Sequence, residues 1–61
     1  MKDLRDRLEK LRTDAEDCLL ISKLATSPVK RQTFLTLSEQ YKALADSLER
    51  TIASGEVPEQ P

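Results

Sequence analysis

The chain has 61 residues, with ten Lys or Arg, eleven Asp or Glu, one Cys and no His. This length allows at most one small domain, one cysteine cannot form an internal disulfide, and one thiolate without histidine is a poor basis for a zinc site. The net charge of −1 argues against general nucleic-acid binding, which relies on clustered Lys and Arg. We therefore expect no metal or other cofactor, and we expect oligomerisation to stabilise so small a fold.

Apolar residues at every third or fourth position indicate a first helix over residues 3–25. The stripe begins at Leu4 and continues through Leu8, Leu11, Ala15 and Cys18. Spacing that averages 3.5 residues places one apolar seam along an α-helix, which is the pattern of helix-on-helix packing. This part of the helix therefore predicts a partner helix on one side.

The second half of the first helix is apolar over a much wider arc. Cys18 is followed by Leu19, Leu20, Ile21 and Leu24. A helix that is apolar over so wide an arc is contacted from more than one direction, and a second helix of the same chain covers only one side. We therefore expect the centre of a subunit interface in this segment.

The dipeptide Ser27-Pro28 separates this helix from the next one. Proline is favoured at the first helical position and disfavours α geometry in the residue before it. Serine is a strong N-cap, because its hydroxyl accepts a free backbone N–H. These properties predict a turn at residues 26–27, an N-cap at Ser27 and a second helix over residues 28–54, which Gly55 ends.

The second helix carries its own apolar seam, and the two seams together predict the fold. The seam consists of Phe34, Leu37, Tyr41, Leu44 and Leu48. Because so short a turn forces the helices to lie antiparallel, we predict an all-α, antiparallel two-helix hairpin over residues 1–55 that dimerises into a four-helix bundle. Residues 56–61 form an acidic, proline-containing tail, which we expect to be disordered.

The charges near the predicted turn are all basic. Residues 18–38 contain no acid and three basic residues, Lys23, Lys30 and Arg31. One hypothesis is an anion site, formed by Lys30 and Arg31 with free N–H groups of the second helix. Another is contact with an acidic partner surface. The simplest interpretation is that these side chains are solvated, or that they meet the acidic C-terminal region of a second subunit.

No group of residues predicts catalysis. A reactive cysteine needs nearby cations or a helix N-terminus, whereas Cys18 lies late in its helix beside Asp17 and apolar residues, so we interpret it as a small buried hydrophobe. Tyr41 lies on the seam, and we expect its ring to pack in the core. A single glycine excludes glycine-rich phosphate loops. We do not expect an enzyme.

The stretch from Ala15 to Ala45 resembles a known group of chains. The residues that carry the resemblance are Ala15-Glu16-x-Cys18, Leu24-Ala25-x-Ser27-Pro28, Arg31, Leu35, Leu37, Tyr41 and Leu44-Ala45. They are similar to short helical-hairpin proteins of alphaproteobacteria, especially rhizobia and their relatives. Such chains often have Asp in place of Ser27 and Trp in place of Tyr41, which keeps the cap and the aromatic position. The resemblance implies a bacterial, cytosolic protein and no catalytic residues.

We predict a non-enzymatic protein–protein interaction module that forms a homodimer in the cytoplasm. No signal peptide is visible, and the longest apolar run, Cys18 to Ile21, is too short to span a membrane. The expected core and interface residues are Leu8, Leu11, Cys18, Leu19, Leu20, Ile21, Leu24, Phe34, Leu37, Tyr41, Leu44 and Leu48. One alternative is a regulatory adaptor that binds a larger protein through its apolar face and basic turn, and another is anion binding at the start of the second helix.

Overall fold

The computed structural model describes residues 2–55, which form two helices packed against each other. Helix α1 spans Lys2–Leu24 and α2 spans Pro28–Ser54. The greatest dimension of the molecule is 42 Å, which is close to the length of about 40 Å expected for α2 alone, so the helices lie side by side. The predicted all-α hairpin is confirmed. Its dimerisation stays a prediction, and the predicted tail over 56–61 lies outside the described residues.

The connection between the helices is set by Ser27 and Pro28. Ser27 has extended backbone angles, φ −84° and ψ 129°, and its Oγ accepts the N–H of Lys30 at 3.4 Å. Its carbonyl accepts the N–H of Arg31 at 2.9 Å. Pro28 takes the first helical position, where its missing N–H leaves no bond unmade. The chain therefore leaves α1 and enters α2 within three residues.

Gly55 ends α2. Its φ of 75° lies in the left-handed region, and its N–H reaches the carbonyl of Ile52 at 3.2 Å. Glycine adopts this conformation without the steric cost that a Cβ atom imposes. The end of α2 is thus fixed by the backbone freedom of one residue.

The contact between the helices is made mostly by small side chains. The buried residues are Leu8, Ala15, Cys18 and Ser22 of α1, and Ser38 and Ala45 of α2. Ala45 is the most enclosed of these, with 1% of its surface exposed. Small residues at a crossing let two helix backbones approach closely. Close approach therefore decides which face of each helix is buried.

This buried stripe corrects the predicted seam of α2 at one position. Leu44 was expected in the seam, yet it is 56% exposed, and the adjacent Ala45 takes the buried place. Ser22 of α1, although polar, is also buried, at 5% exposed. The reason is that Ser38 and Ala45 fit between closely spaced helices, whereas Leu44 lies about 100° around α2 from Ala45.

The larger seam residues flank this stripe and are only partly covered. Leu4 and Leu11 of α1 and Phe34, Leu37, Tyr41 and Leu48 of α2 are half-buried. Among the described residues, no large side chain is fully buried. Two helices therefore enclose a thin line of contacts rather than a two-sided core. Neither helix is both long enough and apolar enough to cross a membrane.

Candidate interaction surface

Six large aliphatic side chains project from the hairpin into solvent. Their exposed fractions are 37% for Leu19, 56% for Leu20, 41% for Ile21, 72% for Leu24, 76% for Val29 and 56% for Leu44. Single exposed leucines are ordinary on protein surfaces. Here, however, the six exposed aliphatic residues outnumber the buried apolar ones in residues 2–55, which are Leu8, Ala15, Cys18 and Ala45. The surface therefore holds much of the apolar content of the chain.

One long edge of the hairpin is marked by an ion pair between the helices. Arg12 Nη2 lies 2.9 Å from Glu49 Oε2, and both side chains are about half exposed. Helical periodicity places two more residues on this edge. Leu19 follows Arg12 by seven residues, and Arg31 precedes Glu49 by eighteen, which is five full turns. We call this side the charged edge.

The opposite long edge is apolar along α2 and at Ile21 of α1, while the Lys10–Asp14 ion pair lies on it nearer the start of α1. Ile21 follows Arg12 by nine residues, which is about 180° around α1. Leu44 and Leu37 precede Glu49 by five and twelve residues, which is about 140° and 120° around α2. All three therefore face away from the ion pair, on the same side of the hairpin. We call this side the open edge and define it by Ile21, Leu37 and Leu44.

The charges of α2 are distributed unevenly between these edges. Six of its seven charged residues fall within about 100° of arc that includes the charged edge, namely Arg31, Glu39, Lys42, Asp46, Glu49 and Arg50. The side toward the open edge carries uncharged residues at Thr33, Gln40 and Ser47. Lys30 is the one exception. Because charge is depleted at the centres of protein interfaces, this side of α2 has the composition of a contact surface.

The residues of the predicted interface centre point in different directions. Ile21 lies on the open edge and Leu19 on the charged edge. Leu20 and Leu24 each stand two residues from buried Ser22, and two residues turn about 200° around a helix. These two leucines, which we call the outer leucines, therefore point away from α2. The four residues Leu19, Leu20, Ile21 and Leu24 thus remain exposed in the hairpin, with 37–72% of their surface accessible.

The basic residues near the turn are not gathered into one site. Lys23 lies eleven residues after Arg12, about 20° away around α1, and so sits on the charged edge with Arg31. Lys30 lies about 100° from Arg31, toward the open edge. Arg31 Nη2 also donates to the carbonyl of Thr26 at 3.4 Å.

The start of α2 offers few free donors to an anion. Pro28 has no N–H, and Ser27 Oγ accepts the N–H of Lys30. A helix N-terminus binds anions through such free N–H groups. The anion hypothesis therefore has a weaker geometric basis in the structure than in the sequence.

The residues with reactive side chains lie in the packed part of the hairpin. Cys18 is a free thiol and is buried between the helices. Tyr41 is half-buried beside the contact stripe. Within residues 2–55, no three His, Cys, Asp or Glu side chains converge in a way that could hold a metal ion.

No protein-family model, curated protein or solved structure matches the chain. The resemblance to alphaproteobacterial hairpin proteins therefore stays an expectation.

Proposed function

We propose that this hairpin is a non-enzymatic protein–protein interaction module whose first partner is a second copy of itself. The observation that carries the proposal is the exposure of large aliphatic side chains in a hairpin whose described residues, 2–55, include four buried apolar ones. Leu20, Leu24 and Leu44 each expose more than half of their surface. A second hairpin would cover such residues and complete a four-helix bundle.

The balance of folding forces supports the same proposal. Ordering the backbone of one residue costs about 1–2 kcal/mol, while fully burying a leucine-sized side chain contributes about 1.5–3 kcal/mol. In the single hairpin, Leu8 is the one leucine that is buried. Half-buried residues such as Phe34 and Leu48 give only part of this contribution. Association would add burial without ordering any further chain, so folding and self-association are coupled in this proposal.

Sedimentation equilibrium of the full chain at micromolar concentration tests the proposal. The chain mass is 6.9 kDa, and we expect a particle of twice that mass. A particle of a single chain mass at every concentration up to the millimolar range would overturn the proposal. Circular dichroism on the same samples shows whether the helices are formed in the species that is weighed.

A second candidate function is favoured by the outer leucines. Leu20 and Leu24 face away from α2, and Lys23 lies between them in the chain. A regulatory adaptor would use such a surface to bind a larger protein with an acidic, amphipathic segment. A helical monomer in the sedimentation experiment favours this function, whereas a tight dimer favours self-association. The variant L20Q separates the two further, because Leu20 lies about 100° around α1 from Ile21 and the change would leave an open-edge dimer intact.

A further inference from the structure

We propose that two hairpins associate along their open edges, with α2 antiparallel to α2 of the second copy and with the two turns at opposite ends. The two-fold axis passes close to Tyr41. This inference rests on the proposed self-association and assigns its surface and its orientation. It is carried by three separate features of α2: its uncharged side, the symmetry of its apolar seam, and the position of Lys30.

The first feature is the distribution of charge around α2. The side that includes Leu37 and Leu44 is free of acidic residues throughout the helix, while the opposite side holds Arg31 and Glu49. Leu44 is also the most exposed leucine of α2. A contact centred on the charged edge would cover the Arg12–Glu49 ion pair and leave Leu44 in water. The open edge is therefore the side on which a second copy gains apolar contact.

The second feature is the symmetry of the apolar seam. Phe34 and Leu48 each lie seven residues from Tyr41, and Leu37 and Leu44 lie four and three residues from it. In an isologous contact, each residue meets its mirror position on the other copy. An axis near Tyr41 therefore places Leu37 of each copy against Leu44 of the other, with Phe34 of one copy at the height of Leu48 of the other.

The alternative orientation, with both turns at the same end, lacks this match. In that arrangement α2 of one copy lies over α1 of the other at the same height. The Arg12–Glu49 contact of 2.9 Å shows that these two residues lie at the same height on the antiparallel helices. Leu44 precedes Glu49 by five residues and Asp17 follows Arg12 by five residues, so Leu44 and Asp17 also lie at about the same height. Leu44 would therefore approach the level of Asp17, a carboxylate. The turns-together dimer would also bring six basic side chains to one end.

The third feature is Lys30, the one charged residue on the seam side of α2. It lies at the start of α2, where a cation opposes the dipole of its own helix. Its mirror position about Tyr41 is Ile52, in the last turn, where helix carbonyls carry partial negative charge. The first turn of α2 has no acidic residue and the last turn has no basic one. Each copy's Lys30 would thus complement the C-terminal end of the other copy's α2.

A distance measurement between spin labels tests the orientation. Cys18→Ala with Val29→Cys gives a single thiol at an exposed position. Val29 is twelve residues from Tyr41, so the antiparallel dimer separates the two labels by about 36 Å along the helix axis. The turns-together dimer holds them within about 20 Å, since only one or two helix diameters separate them. A short distance in a proven dimer would overturn the orientation but not self-association, whereas a monomer would overturn both.

Disulfide cross-linking tests the surface with a matched pair of variants in the Cys18→Ala background. Gln40 and Glu39 are exposed neighbours at the height of the proposed axis. Gln40 lies on the uncharged side, and Glu39 lies about 100° away toward the charged side. Under mild oxidation we expect Gln40→Cys to form a covalent dimer and Glu39→Cys to remain mostly monomeric on a denaturing gel. The reverse pattern would overturn the assignment of the open edge.

The affinity of the dimer gives a third measurement. Because each substitution acts twice in an isologous contact, we expect Leu44→Gln to raise the dissociation constant at least about tenfold and Ala43→Gln to change it little. Lys30→Gln should raise it by about threefold or more, and Arg31→Gln, on the charged edge, should not. Equal effects for Leu44 and Ala43, at unchanged helix content, would contradict the surface.

Discussion

Arg12 and Glu49 form an ion pair between α1 and α2, with Arg12 Nη2 2.9 Å from Glu49 Oε2. The pair shows which levels of the two helices lie opposite each other and marks one edge of the hairpin. Helical spacing alone would pair Arg12 with Glu16 within α1, because residues four apart on a helix are neighbours. In the structure Arg12 instead pairs with Glu49 of the other helix. This pairing can be predicted only when it is known which faces of the two helices meet.

The Arg12–Glu49 pair should contribute little to stability despite its short distance. Both side chains are about half exposed, and exposed ion pairs typically contribute about 0–1 kcal/mol. We expect R12A and E49A each to lower the free energy of unfolding slightly, with a coupling energy of about 0.2–1 kcal/mol. Urea unfolding of both single variants and the double variant measures this coupling. A value of about 2 kcal/mol or more would mean that the pair is shielded from water, as in an assembly that covers the charged edge.

Ala45 should be among the positions least tolerant of a larger side chain. It is 1% exposed and lies where α1 and α2 approach each other. Ala45→Leu would force the helices apart, and overpacking of this kind costs about 1–3 kcal/mol. Urea unfolding measures the loss. The matched control is Ala43→Leu, on the exposed surface of the same helix, which should leave stability nearly unchanged. Equal stability of the two variants would show that the helices do not pack at Ala45.

Ser27 should stabilise the start of α2 as an N-cap. Its Oγ accepts the N–H of Lys30 at 3.4 Å, and replacing such a cap with alanine costs about 0.5–2 kcal/mol. Thermal unfolding followed by circular dichroism measures the loss in Ser27→Ala. Ser27→Asp keeps a capping oxygen and adds a charge that suits a helix start, so it should restore the stability. If Asp fails where Ser succeeds, the side chain is not acting as a cap.

Cys18 should report on the integrity of the hairpin. The thiol is buried against α2, so a thiol-specific reagent should modify the native protein far more slowly than the urea-unfolded chain. The rate should rise on dilution if the hairpin opens when copies separate, because local opening exposes the thiol. A spectrophotometric thiol assay over a dilution series gives the rates. A rapid, concentration-independent reaction would contradict the burial of Cys18.

The ends of the helices could be predicted from single residues, because their causes are local. Ser27 and Pro28 define the turn, and Gly55 defines the end of α2 through its backbone angle. The predicted helix over 3–25 differs from α1 by one residue at each end, and the predicted helix over 28–54 coincides with α2. Such features depend on a few neighbouring atoms, which the sequence states directly.

The choice of the buried face could not be predicted in the same way. The spacing of Leu37, Tyr41 and Leu44 indicates an apolar seam, but it does not show which neighbour covers each residue. The hairpin buries Ser38 and Ala45 because small side chains permit close helices, and this moves Leu44 to the open edge. An apolar pattern therefore does not by itself show which of its residues lie in the contact inside the hairpin, because the distance between the helices decides that.

The coupling of folding to self-association is tested most directly by thermal unfolding of the unmodified chain over a hundredfold range of protein concentration. If the second copy covers the open edge, the midpoint of unfolding rises steadily with concentration, because association stabilises the folded state by mass action. A sharp transition with the same midpoint at every concentration would show that one hairpin is stable by itself, and it would contradict this account.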